Sequence, residues 1–180
     1  MNQFNEMQAL KRRFFAMRNG IIADTMRKAG SPFKIVFGLV LPQIEEIAGE
    51  IGYNPELSKR LWDNRSTRES MLIAPMLLDP AQVTVDEAVE LARTSPSTEI
   101  ADNLVHKLLR KMPESYSLAG TLAEQPDEIC RYCAMRLLWH HLSQNMTEVK
   151  ALAEQELARN SRLTAQPARQ IVDEIDFLME

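Results

Sequence analysis

Cysteine is nearly missing from this chain of 180 residues. There are two, Cys130 and Cys133, too few and too close together for the disulfide framework of a small secreted domain. Glycine is scarce, at 6 residues, and aromatic residues make up 6% of the chain. That excludes an all-β sandwich, which needs many tight turns. Positive charge is not in excess either. The formal net charge is -4, the opposite of the usual bias of a compact nucleic-acid binder, so any DNA-binding surface must be one basic face on an acidic body. Long hydrophobic runs are also lacking. The first stretch, "MNQFNEMQALKRRFF", has no apolar segment of the kind a signal peptide or membrane span requires. The reading predicts a cytoplasmic protein with no membrane contact.

What is present is an ordinary globular balance of 45% hydrophobic and 26% charged residues, enough to bury one sizeable core. Helix-start signals recur along it. Asn54-Pro55 gives a capping side chain and a proline at the first helical position. "STRE" (Ser66 to Glu69) and "TVDE" (Thr84 to Glu87) read as capping boxes, and "NMTE" (Asn145 to Glu148) repeats the pattern with asparagine as cap. Pro96, Pro113 and Pro126 mark places where a helix can begin but not continue. Within "RLWDNRSTRES", Trp62 closes one helix, Asp63 and Asn64 turn the chain, and Ser66 opens the next.

Apolar stripes at helical spacing, Ile100-Leu104-Leu108 and Cys130-Cys133-Leu137, support the same picture. Pro75 predicts a bend inside "SMLIAPMLLDP". "FKIVFGLVL" (Phe33 to Leu41) is the one β-like run, and it reads equally well as a buried connection. Short connections between helices of a few turns imply an all-α fold, an α-α superhelix of HEAT-like helical repeats, forming one domain over residues 1–180.

The stretch from Phe37 to Pro80 resembles the HEAT-like DNA alkylation repair family, the AlkD-type alkylpurine glycosylases. Gly38 and Pro42 match its Gly-x-x-x-Pro opening, Leu61 and Trp62 its "LW" helix end, and Glu69 its glutamate-rich helix start. "STEIADNLVHKLLRKMPE" resembles the family helix that carries an aspartate, and "EICRYCAMRLL" its basic helix. The resemblance runs from about Gly38 to Leu142. It implies a concave, DNA-facing surface where a carboxylate stabilises a cationic sugar during excision of alkylated bases, aromatic rings line the backbone and an arginine holds phosphates. On this likeness Asp102 is the catalytic carboxylate and Arg131 a DNA contact. The chain departs from the pattern at Thr98, where the family has tryptophan, and at Tyr132, where it has the phosphate-gripping arginine. DNA binding with weak or lost glycosylase activity is the function this implies.

Local chemistry gives each candidate a second reading. Asp102 is also a dipole-favoured residue near its helix start, four residues before His106. The basic run "HKLLRK", with Lys107, Arg110 and Lys111, is either a set of phosphate contacts or a solvated helix face, as is "KRR" at Lys11 to Arg13. Glu99, three residues before Asp102, reads as a first-turn charge. Cys130 and Cys133, with His140 and His141 downstream, read as packing residues. Position i+10 lies about 15 Å along a helix axis and cannot share one metal ion, so no metal or cofactor is expected. Trp62 and Trp139 read as core packing. Two functions remain open: a DNA-binding, alkylation-repair-like protein, or a non-catalytic repeat scaffold that binds a protein or a structured nucleic acid.

Overall fold

The computed structural model describes residues 3–179, and they divide between two compact units, Met1–Asp79 and Pro80–Glu180. The first unit holds α1 (Gln3–Ala16), α2 (Gly20–Lys28), α3 (Leu41–Ile51), α4 (Pro55–Asp63) and α5 (Arg68–Ile73). The second holds α6 (Val85–Arg93), α7 (Thr98–Lys107), α8 (Ser115–Ala123), α9 (Glu128–Leu138), α10 (Met146–Ala158) and α11 (Ala165–Met179). Short 3-10 turns follow α5, α7 and α9. Among the described residues the only β pairing is one isolated bridge, Ile35 with Thr67, and no helix is long and apolar enough to cross a membrane.

Most helix starts follow from the side chains at their caps. Asn54 accepts from the Leu57 amide at 3.1 Å, and Pro55 takes the first helical position, where a missing N–H does no harm. Thr84 and Glu87 form the reciprocal pair expected of a capping box, and Asn145 accepts from the Glu148 amide. Pro96, Pro113 and Pro126 each stand two residues ahead of the helix rather than at its first position. They keep the preceding segment from continuing, while a separate residue, Ser97 in the case of α7, supplies the cap.

Two expectations for the Trp62 joint need correction. The cap of α5 is Thr67, not Ser66, and it makes no side-chain cap bond. Glu69 does not reach back to the helix start. It is fully buried, and its carboxylate accepts from the amides of Phe37 at 3.1 Å and Gly38 at 3.0 Å. A distant, dry pair of backbone donors outcompetes the local one because no water could otherwise satisfy them. Buried Arg68 completes the arrangement, donating to Glu69 at 3.1 Å and to the Leu39 carbonyl at 3.1 Å.

The β-like run is thereby explained. Residues 33–40 form a partly buried connection with Phe33, Val36 and Leu39 inside and Lys34, Ile35 and Val40 outside. Ile35 donates to the Ser66 carbonyl and accepts from the Arg68 amide. Gly38 has φ +77°, and a β-carbon there would sit 2.3 Å from the Asn19 carbonyl oxygen and 2.8 Å from the Ala23 nitrogen. Only glycine fits.

Pro75 breaks its helix outright. Helix α5 stops at Ile73, Ala74–Leu77 continue as a 3-10 turn, and Leu78 is extended. Proline has no N–H for the carbonyl four residues back, and the buried Ser58 hydroxyl takes the neighbouring Ala74 carbonyl at 2.7 Å.

In the second unit the two apolar stripes face inward as expected. Ile100, Leu104 and Leu108, and Cys130, Cys133 and Leu137, all have 0% exposure, with α7 and α8 packed against α9, and α10 against α11. Trp62 is buried, but Trp139 is half-exposed and does not pack in the core.

Glu69→Ala removes the acceptor for the Phe37 and Gly38 amides and one partner of the buried Arg68. It should lower the unfolding free energy by about 3–5 kcal/mol, measured by urea titration. A loss under about 1 kcal/mol would mean the carboxylate is replaceable by water.

A candidate nucleic-acid interface around Asp102

Helices α7 and α9 pack side by side, and their facing polar residues come at one-turn intervals. From α7 and the turn after it come Asp102, His106 and Arg110. From α9 and the turn after it come Tyr132, Arg136 and His140. The Tyr132 hydroxyl donates to the Asp102 carboxylate, with both oxygens at 3.1 Å. The Arg136 Nε donates to the same group at 2.7 Å. One turn further along, the rings of His106 and His140 lie 6.2 Å apart, tilted by 44°. Because 102 pairs with 136 and 106 with 140, the two helices advance together in the same direction.

The electrostatics follow from this register. Burial pushes the Tyr132 phenol up to about 12, aided by the adjacent Asp102 carboxylate and its hydrogen bond, so Tyr132 stays a proton donor to Asp102. The Asp102–Arg136 pair is about 40% exposed on each side, worth at most about 1 kcal/mol to stability. Burial first, and then positive charge at Arg110, His106, His141 and Arg136, lower the protonation of His140. Two permanent cations, Arg110 and Arg136, thus act on one place of a protein whose net charge is -4.

The other predicted basic residues fall on the same segment. Lys107 is half-buried in the last turn of α7, where a cation suits the helix dipole. Arg110 donates its Nε to the His106 carbonyl at 2.8 Å, and Lys111 is exposed. Thr98 and Glu99 stand in the first turn of α7. In the first unit, Arg13 of the "KRR" run is bonded to Glu50.

Arg131 does not join them. It is 7% exposed, its Nε bonds to buried Glu156 at 3.1 Å, and its Nη1 bonds to the Gln125 carbonyl at 3.0 Å and to that of Pro126. Thr164 donates to the same glutamate at 2.7 Å. The guanidinium is occupied inside the fold, so Arg131 holds α9 to the following helices instead of facing a phosphate. Arg136, which the sequence reading passed over, is the arginine at Asp102. It stands one turn beyond the slot that Tyr132 fills. The signal was available as the spacing Tyr132, Arg136, His140 against Asp102, His106, Arg110.

The cysteines and the second histidine have structural surroundings. Cys130 and Cys133 are free thiols in the core. Burial pushes Cys130 up to about 11 and Cys133 higher still, so neither is poised as a nucleophile. His141 is buried, with Nε2 2.9 Å from the Ser115 hydroxyl and its ring edge-on to Tyr116. Among the described residues no group of three or more metal-ligating side chains converges.

Comparison with known proteins agrees with the fold. The DNA alkylation repair enzyme family matches residues 10–167. A solved structure from a new family of proteins related to the HEAT-like repeat DNA glycosylases, with affinity for branched DNA structures, superposes with a TM-score of 0.77. It is 13% identical in sequence, and the match covers 91% of this chain and 73% of that one. The fold is thus that of a HEAT-like helical repeat. No curated protein matches the sequence significantly.

Arg131→Ala leaves the Glu156 carboxylate buried without its main cation. The expected loss is about 3–5 kcal/mol of unfolding free energy. A loss under about 0.5 kcal/mol, with a fall in DNA affinity instead, would return Arg131 to the binding surface.

Proposed function

The chain belongs to the DNA alkylation repair enzyme family, and from that membership we propose that it binds DNA through the α7–α9 surface, with glycosylase activity weak or lost. The observation that carries the reading is Arg136 held at the Asp102 carboxylate, with Arg110, His106 and Arg136 all acting on His140 further along the same two helices. Phosphates are the natural counterpart of such a cluster, and Lys107 and Lys111 extend it along the chain.

Asp102 acts here as a positioning residue. To stabilise a cationic sugar, a carboxylate must present uncompensated negative charge to it. This one is already bonded to a guanidinium at 2.7 Å and to a phenol. Its effect is to fix Arg136 at the surface, so the guanidinium occupies the role that the family's arginine has at the Tyr132 slot. Thr98 adds no aromatic wall. The affinity of the structural relative for branched DNA makes branched DNA the first ligand to try on this chain, beside a linear duplex.

Two measurements test the reading. The logarithm of DNA affinity should fall linearly with the logarithm of salt concentration, and Lys107→Ala, Arg110→Ala or Lys111→Ala should each reduce the slope by about 0.9. No binding at low salt would remove DNA and leave the protein-scaffold function. Incubation with methylated DNA should release bases at close to the background rate, with Asp102→Asn changing it less than about twofold. Rapid release abolished by Asp102→Asn would make Asp102 the catalytic carboxylate after all.

A further inference from the structure

His106 and His140 lie beside Arg110 and Arg136 on the α7–α9 surface. We propose that His106 and His140, together with Arg110 and Arg136, form a phosphate-binding group that takes up protons when a DNA phosphodiester arrives, so that affinity rises as pH falls through the histidine range. This rests on the DNA-binding function of the surface and adds the ligand group and its response to acid.

The geometry is specific. Both histidines are exposed, and their rings are 6.2 Å apart, close enough for one phosphate to contact an N–H of each. Arg110 is tied to the His106 carbonyl by its Nε at 2.8 Å, and its terminal nitrogens are further donors. Arg136 is tied through its own Nε to Asp102 at 2.7 Å, again leaving the rest of the fork. A carboxylate on one side and a carbonyl on the other thus hold two guanidinium groups next to two imidazoles.

The charges around His140 decide the direction. Besides desolvation, the neighbours that act on it are Arg110 and His106 from the α7 side, and His141 and Arg136 from its own side. All of them oppose its protonation. His141 is buried against Ser115 and stays out of reach of a ligand. A bound phosphodiester reverses the local field, so the histidines hold more protons in the complex than in the free protein. Linkage then requires affinity to increase as pH falls from the value His140 takes in the complex to its lowered value in the free protein. Outside that window it levels off. Arginine, lysine and the phosphodiester keep their charge throughout. A pair of rings packed only for stability would leave DNA affinity indifferent to pH.

The test is fluorescence anisotropy with a labelled four-way DNA junction at fixed ionic strength, near pH 6 and near pH 8. The wild-type protein should bind roughly tenfold more tightly near pH 6. In the double variant His106→Asn, His140→Asn the ratio should shrink to within about twofold, and each single substitution should lower it in part. The single variants carry the test if the double variant fails to fold. An unchanged ratio in variants that still bind overturns the histidine group while leaving the DNA-binding function intact. Binding to the junction at neither pH overturns both.

Discussion

A carboxylate sealed away from water must have its oxygens satisfied by protein donors, and each unit of this molecule is organised around one. In the first unit Glu69 holds the Phe37 and Gly38 amides and pairs with Arg68. In the second, Glu156 is held by Arg131 and Thr164, with Arg159 alongside. The cost of leaving any of these groups unpaired is several kcal/mol, a large share of the stability of an ordinary domain. Such clusters tolerate one arrangement of the surrounding chain. The residues that match the family pattern in the first unit each have a structural place. Gly38 allows the close approach, Pro42 sits in the first turn of α3, Leu61 and Trp62 fill the core, and Glu69 ties the extended segment down.

The features legible in the sequence are the ones that depend on near neighbours. Asn54, Thr84 and Asn145 cap helices because their partners lie three residues away. The Ile100 and Cys130 stripes read correctly because helical periodicity is local. Glu69 was misread for the opposite reason. A serine three residues before it mimics a capping box, yet the amides it accepts from are 32 and 31 residues back, and nothing in the local pattern reveals that the position is dry. Arg131 carries the same lesson. Its match to a basic motif says nothing of Glu156, 25 residues on.

Around Asp102 the likeness to a family located the helix and the acid, and the structure adds their neighbours, Tyr132 and Arg136. Replacing an arginine with tyrosine at position 132 looks like a loss. With α7 and α9 in register, it becomes a shift: the hydroxyl fills the near side of the carboxylate and the next residue one turn on, Arg136, supplies the cation. Such a change can be seen only once the helix pairing is known, because i and i+4 are equivalent along one helix but not against its neighbour. An acid bonded to a guanidinium, with further cations beside it, is the arrangement from which we propose anion binding.

The placement of the two tryptophans makes the protein its own reporter. Trp62 is buried in the first unit, while Trp139 is half-exposed in the second, directly before His140 in the chain. Intrinsic fluorescence therefore carries two separable signals. Emission from the shielded indole shifts red only when the first unit opens, whereas the wet one senses what settles beside His140. Exchanging either for phenylalanine would assign each colour to its source, without attaching a dye.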